Sequence, residues 1–375
     1  MSAAQEPGPV LHPADEAEVA EAVRAAAAAG GRVAVHRPAS AGAVELRLDR
    51  LARILEIDGG DLVARVEAGV PLPVLEEALR ARGLRFVPAE GPRPGPDGTA
   101  GALYACGAGH ARTLKYGAAK HFLLGSRTVL GTGAVLSTGG RTVKNVTGYD
   151  LTRFLHAPLA HLGIAVELTL KLLPQPPARR TLRARLPAGE AAALARLLRE
   201  RVRPAYLLWA DGTARRLAGA PGTEELLQVE LDGEAEEVRE GAAAFGDMVW
   251  HARGWAEEAG AGEAGPGPFD APGALLADEL KVEPEGAAAV VAAFAAGARA
   301  RGLQAGLQGR LAEGVLSVRL ADAGRAAEAL ALAASCGARL AGRWAREQGR
   351  PAPEPLAGLE RALAGKVDPG RVLWW

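Results

Sequence analysis

The chain has 375 residues, 44 basic against 44 acidic, and only two cysteines. That length exceeds one hydrophobic core and implies two or three domains, while zero net charge argues against a nucleic-acid or anionic-membrane surface. Cys106 and Cys336 are far apart and outside any CxxC pair, so a disulfide framework, an iron–sulfur cluster and a zinc site are unsupported.

No apolar run is long enough to span a bilayer, and the N-terminus is polar and acidic rather than signal-like, so a cytoplasmic chain is expected. Residues 16–29 read as a helix, with Asp15 as N-cap and Gly30-Gly31 as the stop. A strand at 32–36 leads into the loop His36-Arg37-Pro38-Ala39-Ser40-Ala41-Gly42. Residues 44–48, 54–58 and 62–67 read as strands, with Asp58-Gly59-Gly60-Asp61 as a hairpin turn. A helix over 71–82 ends at Gly83, and the Pro/Gly-rich stretch 88–98 is irregular. It opens into Thr99-Ala100-Gly101-Ala102, followed by Gly107-Ala108-Gly109-His110-Ala111-Arg112. That second run lacks the third glycine and the acidic ribose binder of a dinucleotide fingerprint, so a Rossmann site is rejected. A hairpin spans 126–137 over Gly131-Thr132-Gly133.

Residues 142–174 are the most informative stretch. Lys144, Asn145, Thr147, Gly148 and Asp150 form a polar glycine turn suited to a ligand. Leu151, Phe154, Leu155 and Leu159 follow at helical spacing until Pro158 limits the helix, and residues 164–173 alternate as a half-buried strand.

The run Lys144-Asn145-Val146-Thr147-Gly148-Tyr149-Asp150-Leu151, then Leu162-Gly163-Ile164 and Leu170-Lys171-Leu172-Leu173-Pro174, resembles the flavin-binding half of the vanillyl-alcohol-oxidase type oxidoreductases. Within them it is most similar to the D and E subunits of bacterial glycolate oxidase, and chain length and missing residues favour the E-subunit type. The resemblance implies an α+β fold: a two-lobed FAD-binding PCMH-type domain over 1–175, with lobes about 1–70 and 71–175, followed by a ferredoxin-like α+β cap domain over 176–345. A C-terminal segment, 346–375, is expected to return to the flavin domain.

The resemblance also implies FAD as cofactor. Its implied contacts are Thr99, Gly101, Ala102, Gly107, Gly109, Tyr116, Gly117, Gly163 and Ile164, with Lys144 and Asn145 as side-chain candidates. The family wraps the flavin pyrophosphate with a glycine-rich loop at 36–42. Here Pro38 lacks an N–H and Ala39, Ser40 and Ala41 replace glycines, so Arg37 compensates with a charged phosphate contact or the loop no longer binds. Ala102 likewise replaces the second of a paired glycine.

After Pro174-Gln175-Pro176-Pro177 the composition shifts. Strands at 180–185, 205–209 and 226–231 with helices at 190–200 and 234–245 are followed by a second such set over 274–335, which indicates a duplicated ferredoxin-like cap. Residues 257–272, rich in Gly, Ala and Pro, read as a mobile loop. The terminal tandem Trp374-Trp375 reads as packing back on the flavin domain.

Oxidising a 2-hydroxy acid at a flavin needs a base or a metal near the substrate hydroxyl. Catalytic relatives carry a histidine cluster in the cap, whereas this cap has His251 alone, so no catalytic or metal-ligating residue is assigned. His121, His156 and His161 read as packing or solvent groups. The implied role is an accessory flavin-type subunit of a glycolate oxidase complex, not catalytic alone, beside a catalytic D-like flavin subunit and an F-like iron–sulfur subunit. A structural subunit that has lost FAD and a stand-alone FAD-dependent 2-hydroxy-acid oxidoreductase are the alternatives.

Overall fold

The computed structural model describes residues 8–35, 43–90, 98–106, 110–141, 151–154, 162–219, 224–251, 255–258, 275–283, 286–340, 366–368 and 373–374. Strand β1 (Val10–Leu11) precedes helix α1 (Glu16–Ala28). Asp15 Oδ1 accepts from the Glu18 amide at 2.9 Å while Glu18 Oε2 accepts from the Ala14 amide at 2.7 Å, a reciprocal cap on the first turn. Gly30, at φ +64°, takes the left-handed conformation that stops the helix. Val19, Ala20, Val23 and Ala26 face the sheet of β2 (Arg32–Val35) and β3 (Ala43–Leu46). These strands are parallel, with β1 beside β3 and the terminal strand Leu373–Trp374 beside β2.

The second lobe is built from β4 (Ile54–Asp58), β5 (Val63–Glu67), α2 (Leu72–Arg80), β6 (Leu84–Arg85), α3 (Ala100–Cys106), α4 (Thr113–Tyr116), β7 (Leu123–Leu130), β8 (Val135–Gly139), α5 (Leu151–Phe154), β9 (Gly163–Lys171) and β10 (Leu173–Pro174). Its antiparallel sheet runs β4-β5-β9-β7-β8, and β6 and β10 form a separate ribbon. Strand β9 is more deeply buried than strict alternation implies, because Ile164, Ala165 and Val166 are all covered. A register shift between Arg127 and Thr128 of β7 reverses the alternation there. Ile164 and Val166 thus join the core under α1, and Ala165, Leu168 and Leu170 join the core under α2 and α3. One strand holds both lobes together.

The cap is a single sheet made of two βαββαβ units. The first comprises β11 (Ala178–Arg185), α6 (Ala188–Arg201), β12 (Tyr206–Ala210), β13 (Leu226–Gly233), α8 (Ala235–His251) and β14 (Trp255–Glu258), with a short α7 (Gly212–Leu217) after β12. The second comprises β15 (Leu275–Lys281), α9 (Ala287–Ala300), β16 (Ala305–Arg310), β17 (Val315–Leu320), α10 (Ala326–Ser335) and β18 (Arg339–Leu340). The strand order β14-β11-β13-β12-β16-β17-β15-β18 is the ferredoxin-like order twice, joined where β12 meets β16. Residues 257 and 258, at the start of the expected loop, belong instead to the edge strand β14 that pairs with β11, and 259–274 lie outside the described residues.

The two faces of this sheet differ. Leu182, Leu207, Trp209, Leu227, Val229, Leu307, Leu316 and Val318 point toward the helices and form the cap core. On three strands the alternate positions carry buried polar groups: Gln228, Glu230 and Asp232 on β13, Gln308 on β16 and Arg319 on β17. The flavin-type lobes lie against part of this polar face, where Ala111 packs with Tyr206, Leu208, Ala210 and Ala214. Among the described residues no helix is long and apolar enough to cross a membrane.

Candidate functional site

Three expected contact residues stand at the start of α3. Thr99 bridges to Pro71, and its Oγ1 accepts from the Ala102 amide at 3.1 Å. The Ala100 amide donates to Val70 O at 3.0 Å and the Gly101 amide to Ala68 O at 2.7 Å. The first amides of this helix are therefore spent on the chain itself, fastening α3 to the exit of β5. Gly101 is required for that approach, since a Cβ there would lie 2.9 Å from both Ala68 Cβ and Ala68 O.

Tyr116 and Gly117 stand elsewhere, at the boundary with the cap. Gly163 lies at the start of β9, where a Cβ would fall 2.3 Å from Thr128 Cγ2, and Ile164 is a fully buried core residue. Arg37, Ser40, Gly107, Gly109, Lys144 and Asn145 fall outside the described residues.

The boundary with the cap holds a buried network of charges. Asp232 on β13 receives Arg85 Nη1 at 2.8 Å on Oδ2, and both Tyr116 Oη at 2.7 Å and Lys115 Nζ at 2.8 Å on Oδ1. Arg85 Nη2 donates to Tyr116 Oη at 2.7 Å, which closes the ring of contacts. One turn of strand away, Glu230 pairs through both oxygens with Arg112, whose Nε is 3.1 Å from Glu90. Arg179 reaches Glu90 at 3.1 Å, and Arg112 lies over the Tyr206 ring at 5.4 Å. Every carboxylate here is thus bonded to cations from across the boundary, the condition under which buried charge is tolerated.

These contacts set the protonation states. Burial alone would raise Asp232, but hydrogen bonds from Lys115, Arg85 and Tyr116 outweigh it and hold the carboxyl at about 2. Burial, then the Asp232 hydrogen bond, pushes Tyr116 up to about 12. Arg112 is raised: burial lowers it, and Glu230 and Glu90 more than reverse that. Because the Asp232 value is depressed from 3.8, its stabilising contribution is complete above that pH and is lost as pH falls through about 2. Acid denaturation is expected to show a loss of stability within this window that is absent from Asp232→Asn.

His110 sits at the same boundary, 4% exposed. Its Nε2 donates to Gly117 O at 2.8 Å, and its ring meets Phe122 edge-on with centroids 6.3 Å apart. Burial, only partly offset by that hydrogen bond, pushes the imidazole down to about 4, so it is neutral at ordinary pH. The tautomer leaves Nδ1 as an acceptor, and Nδ1 has no hydrogen-bond partner among the described residues.

Sequence reasoning passed over Arg85, Glu230, Asp232 and His110 as site residues. The alternation Gln228-Val229-Glu230-Leu231-Asp232 signalled a polar strand face, but nothing local identified its partners on α4 and β6.

Residues 7–139 match the family model described as "FAD binding domain". The chain is 36% identical over 155 residues to glycolate oxidase subunit GlcE of Escherichia coli, covering 41% of this chain and 43% of that protein. It is 34% identical over 172 residues to glycolate oxidase subunit GlcD of Bacillus subtilis, covering 45% of this chain and 36% of that one. The matched regions thus span less than half of these relatives. Among solved structures, 4-ethylphenol oxidase from Gulosibacter chungangensis superposes with a TM-score of 0.75 at 16% identity, covering 97% of this chain and 87% of that one. p-Cresol methylhydroxylase superposes with a TM-score of 0.72 at 17% identity, covering 97% and 88%. The fold is that of these two proteins, two lobes and a cap.

Proposed function

We propose that the chain, whose residues 7–139 match an FAD binding domain, is an FAD-binding accessory subunit of a glycolate, or 2-hydroxy acid, oxidase complex. The single observation that carries this reading is the 36% identity to GlcE over 155 residues. Its partners are then a D-like catalytic flavin subunit and an F-like iron–sulfur subunit. When bound, FAD accepts two electrons from a donor and passes them on. Among the described residues expected to contact FAD, Thr99, Gly101 and Ala102 at the start of α3 are held by bonds within the chain.

The protonation states of the described boundary groups do not suit a general base at neutral pH. A general base works best with a value near the operating pH. The boundary groups instead lie far from neutrality: Asp232 at about 2, His110 at about 4 and Tyr116 at about 12. Asp232 and Tyr116 are also bonded to one another. A structural subunit without FAD is the second reading, favoured by the internal use of the Ala100 and Gly101 amides.

The test is glycolate-dependent dye reduction by the chain alone, by the two partner subunits together, and by all three. Activity is expected from the full set and from neither subset. Turnover by the chain alone, or full activity without it, would overturn the accessory reading.

A further inference from the structure

We propose that Val367, Asp368 and Leu373 form a latch that fixes the first flavin-type lobe against the second, with Asp368 as its positioning residue, and that FAD binds tightly only while the latch is closed. The coupling to FAD rests on the FAD-binding reading above; the latch rests on the fold.

Strand β9 joins the two lobes through their cores, and these three residues join them a second time. Val367 is half-buried against the core under α2 and α3, in the second lobe. Leu373 is buried in the core under α1, with Val33 and Leu46 of the first lobe. Its strand pairs in parallel with β2, Leu373 opposite Val33 and Trp374 opposite Ala34, so β2 has a partner strand on each side.

Asp368 is the turning point. Its side chain is buried, and Oδ2 accepts from the Leu373 amide at 3.2 Å, which aims the terminal strand at β2. The carboxylate also rests on the β7–β8 hairpin at Gly131, where a Cβ would lie 2.0 Å from Asp368 Oδ1 and 2.5 Å from Asp368 Cβ. Only glycine allows so close an approach. The same hairpin is tied to α1 by Arg24 Nη1, which donates to Gly133 O at 3.1 Å. Asp368 therefore couples a second-lobe hairpin to the strand that flanks β2 in the first lobe.

The consequence for a ligand follows from where its contacts are expected. Arg37 and Ser40 follow β2 in the first lobe, whereas Thr99, Gly101, Ala102 and Gly163 belong to the second. A ligand held by both lobes loses less entropy on binding when they are already fixed. By linkage, FAD must favour the closed latch by the same factor that the latch strengthens FAD binding.

Three substitutions test this. Asp368→Ala removes the acceptor and the contact with Gly131, Asp368→Asn keeps an acceptor for the Leu373 amide, and Gly131→Ala drives a Cβ against an intact Asp368. These variants, the Asp368→Ala/Gly131→Ala pair and the wild type are titrated with FAD by quenching of flavin fluorescence. Hydrogen exchange of peptides covering 30–36 and 366–375 is followed by mass spectrometry with and without FAD, and urea denaturation verifies that each protein is folded.

Asp368→Ala and Gly131→Ala are each expected to weaken FAD binding about tenfold, the scale of an ordinary coupling between sites, and Asp368→Asn to stay within about twofold. The double variant is expected to be no weaker than Asp368→Ala, because both changes break one contact. Both peptides exchange faster in the weakened variants, and FAD slows both in the wild type. Gly131→Ala carries the test where Asp368→Ala does not fold. Unchanged FAD affinity beside faster exchange, losses that add in the double variant, or weaker binding without faster exchange over 30–36 would overturn the proposal. Absence of FAD binding by the folded wild-type chain would overturn the FAD-binding reading and the coupling together; binding by the wild type with any of those three patterns overturns the coupling alone.

Discussion

Asp232→Ala is expected to destabilise the folded chain by about 3–5 kcal/mol, measured by urea denaturation. The carboxylate is fully buried and is the common acceptor of Arg85, Lys115 and Tyr116. Removing it leaves the Arg85 guanidinium, itself 5% exposed, as a buried charge without its main partner. The penalty is that orphaned charge rather than the intrinsic value of the pair, which replacement of the whole cluster by apolar residues would not incur. Asp49 supplies the contrast: it pairs with His12 at 2.8 Å, but both groups are exposed. Asp49→Ala is expected to cost less than about 1 kcal/mol. Equal effects at the two positions would contradict a buried boundary network.

Gly101→Val is expected to cost about 3 kcal/mol and to abolish tight FAD retention together with it. A side chain at this position meets backbone as well as side chain, since Ala68 O and Ala68 Cβ each lie 2.9 Å from the added Cβ. Neither neighbour can swing away: Ala68 is 1% exposed and its amide donates to Val166 O at 3.0 Å. Helix α3 must therefore lift from β5, breaking the Gly101 amide bond to Ala68 O. Gly140→Ala is the control, because a Cβ there meets nothing within 4 Å. Denaturation and flavin release on desalting measure both effects.

Much of the fold was legible because it rests on local chemistry. Asp15 caps α1, Gly30 ends it, and Asp58 Oδ1 accepts from the Gly60 and Asp61 amides in the expected turn. The doubled strand and helix pattern after residue 176 announced the paired ferredoxin-like units that the strand order displays. Depth within the sheet was less legible, since the bulge that buries Ala165 beside Ile164 depends on β7, distant in sequence.

The described residues expected to contact the cofactor have partners within the chain that their sequence context did not show. Gly101 was expected to let a cofactor approach the backbone, and what approaches it is Ala68. Tyr116 was placed with the cofactor contacts through resemblance, and its hydroxyl is engaged with Asp232, 116 positions away. Contacts of that range leave no periodic trace in either segment. Only the alternation on β13 hinted that its polar face needed cations.

The most direct test of an FAD-binding chain is the absorbance spectrum of the purified protein after incubation with FAD and desalting, compared with the same sample after denaturation. The account predicts close to one releasable flavin per chain, with a bound spectrum distinct from that of free FAD. A folded protein that retains no flavin would contradict it and leave the chain as a structural subunit.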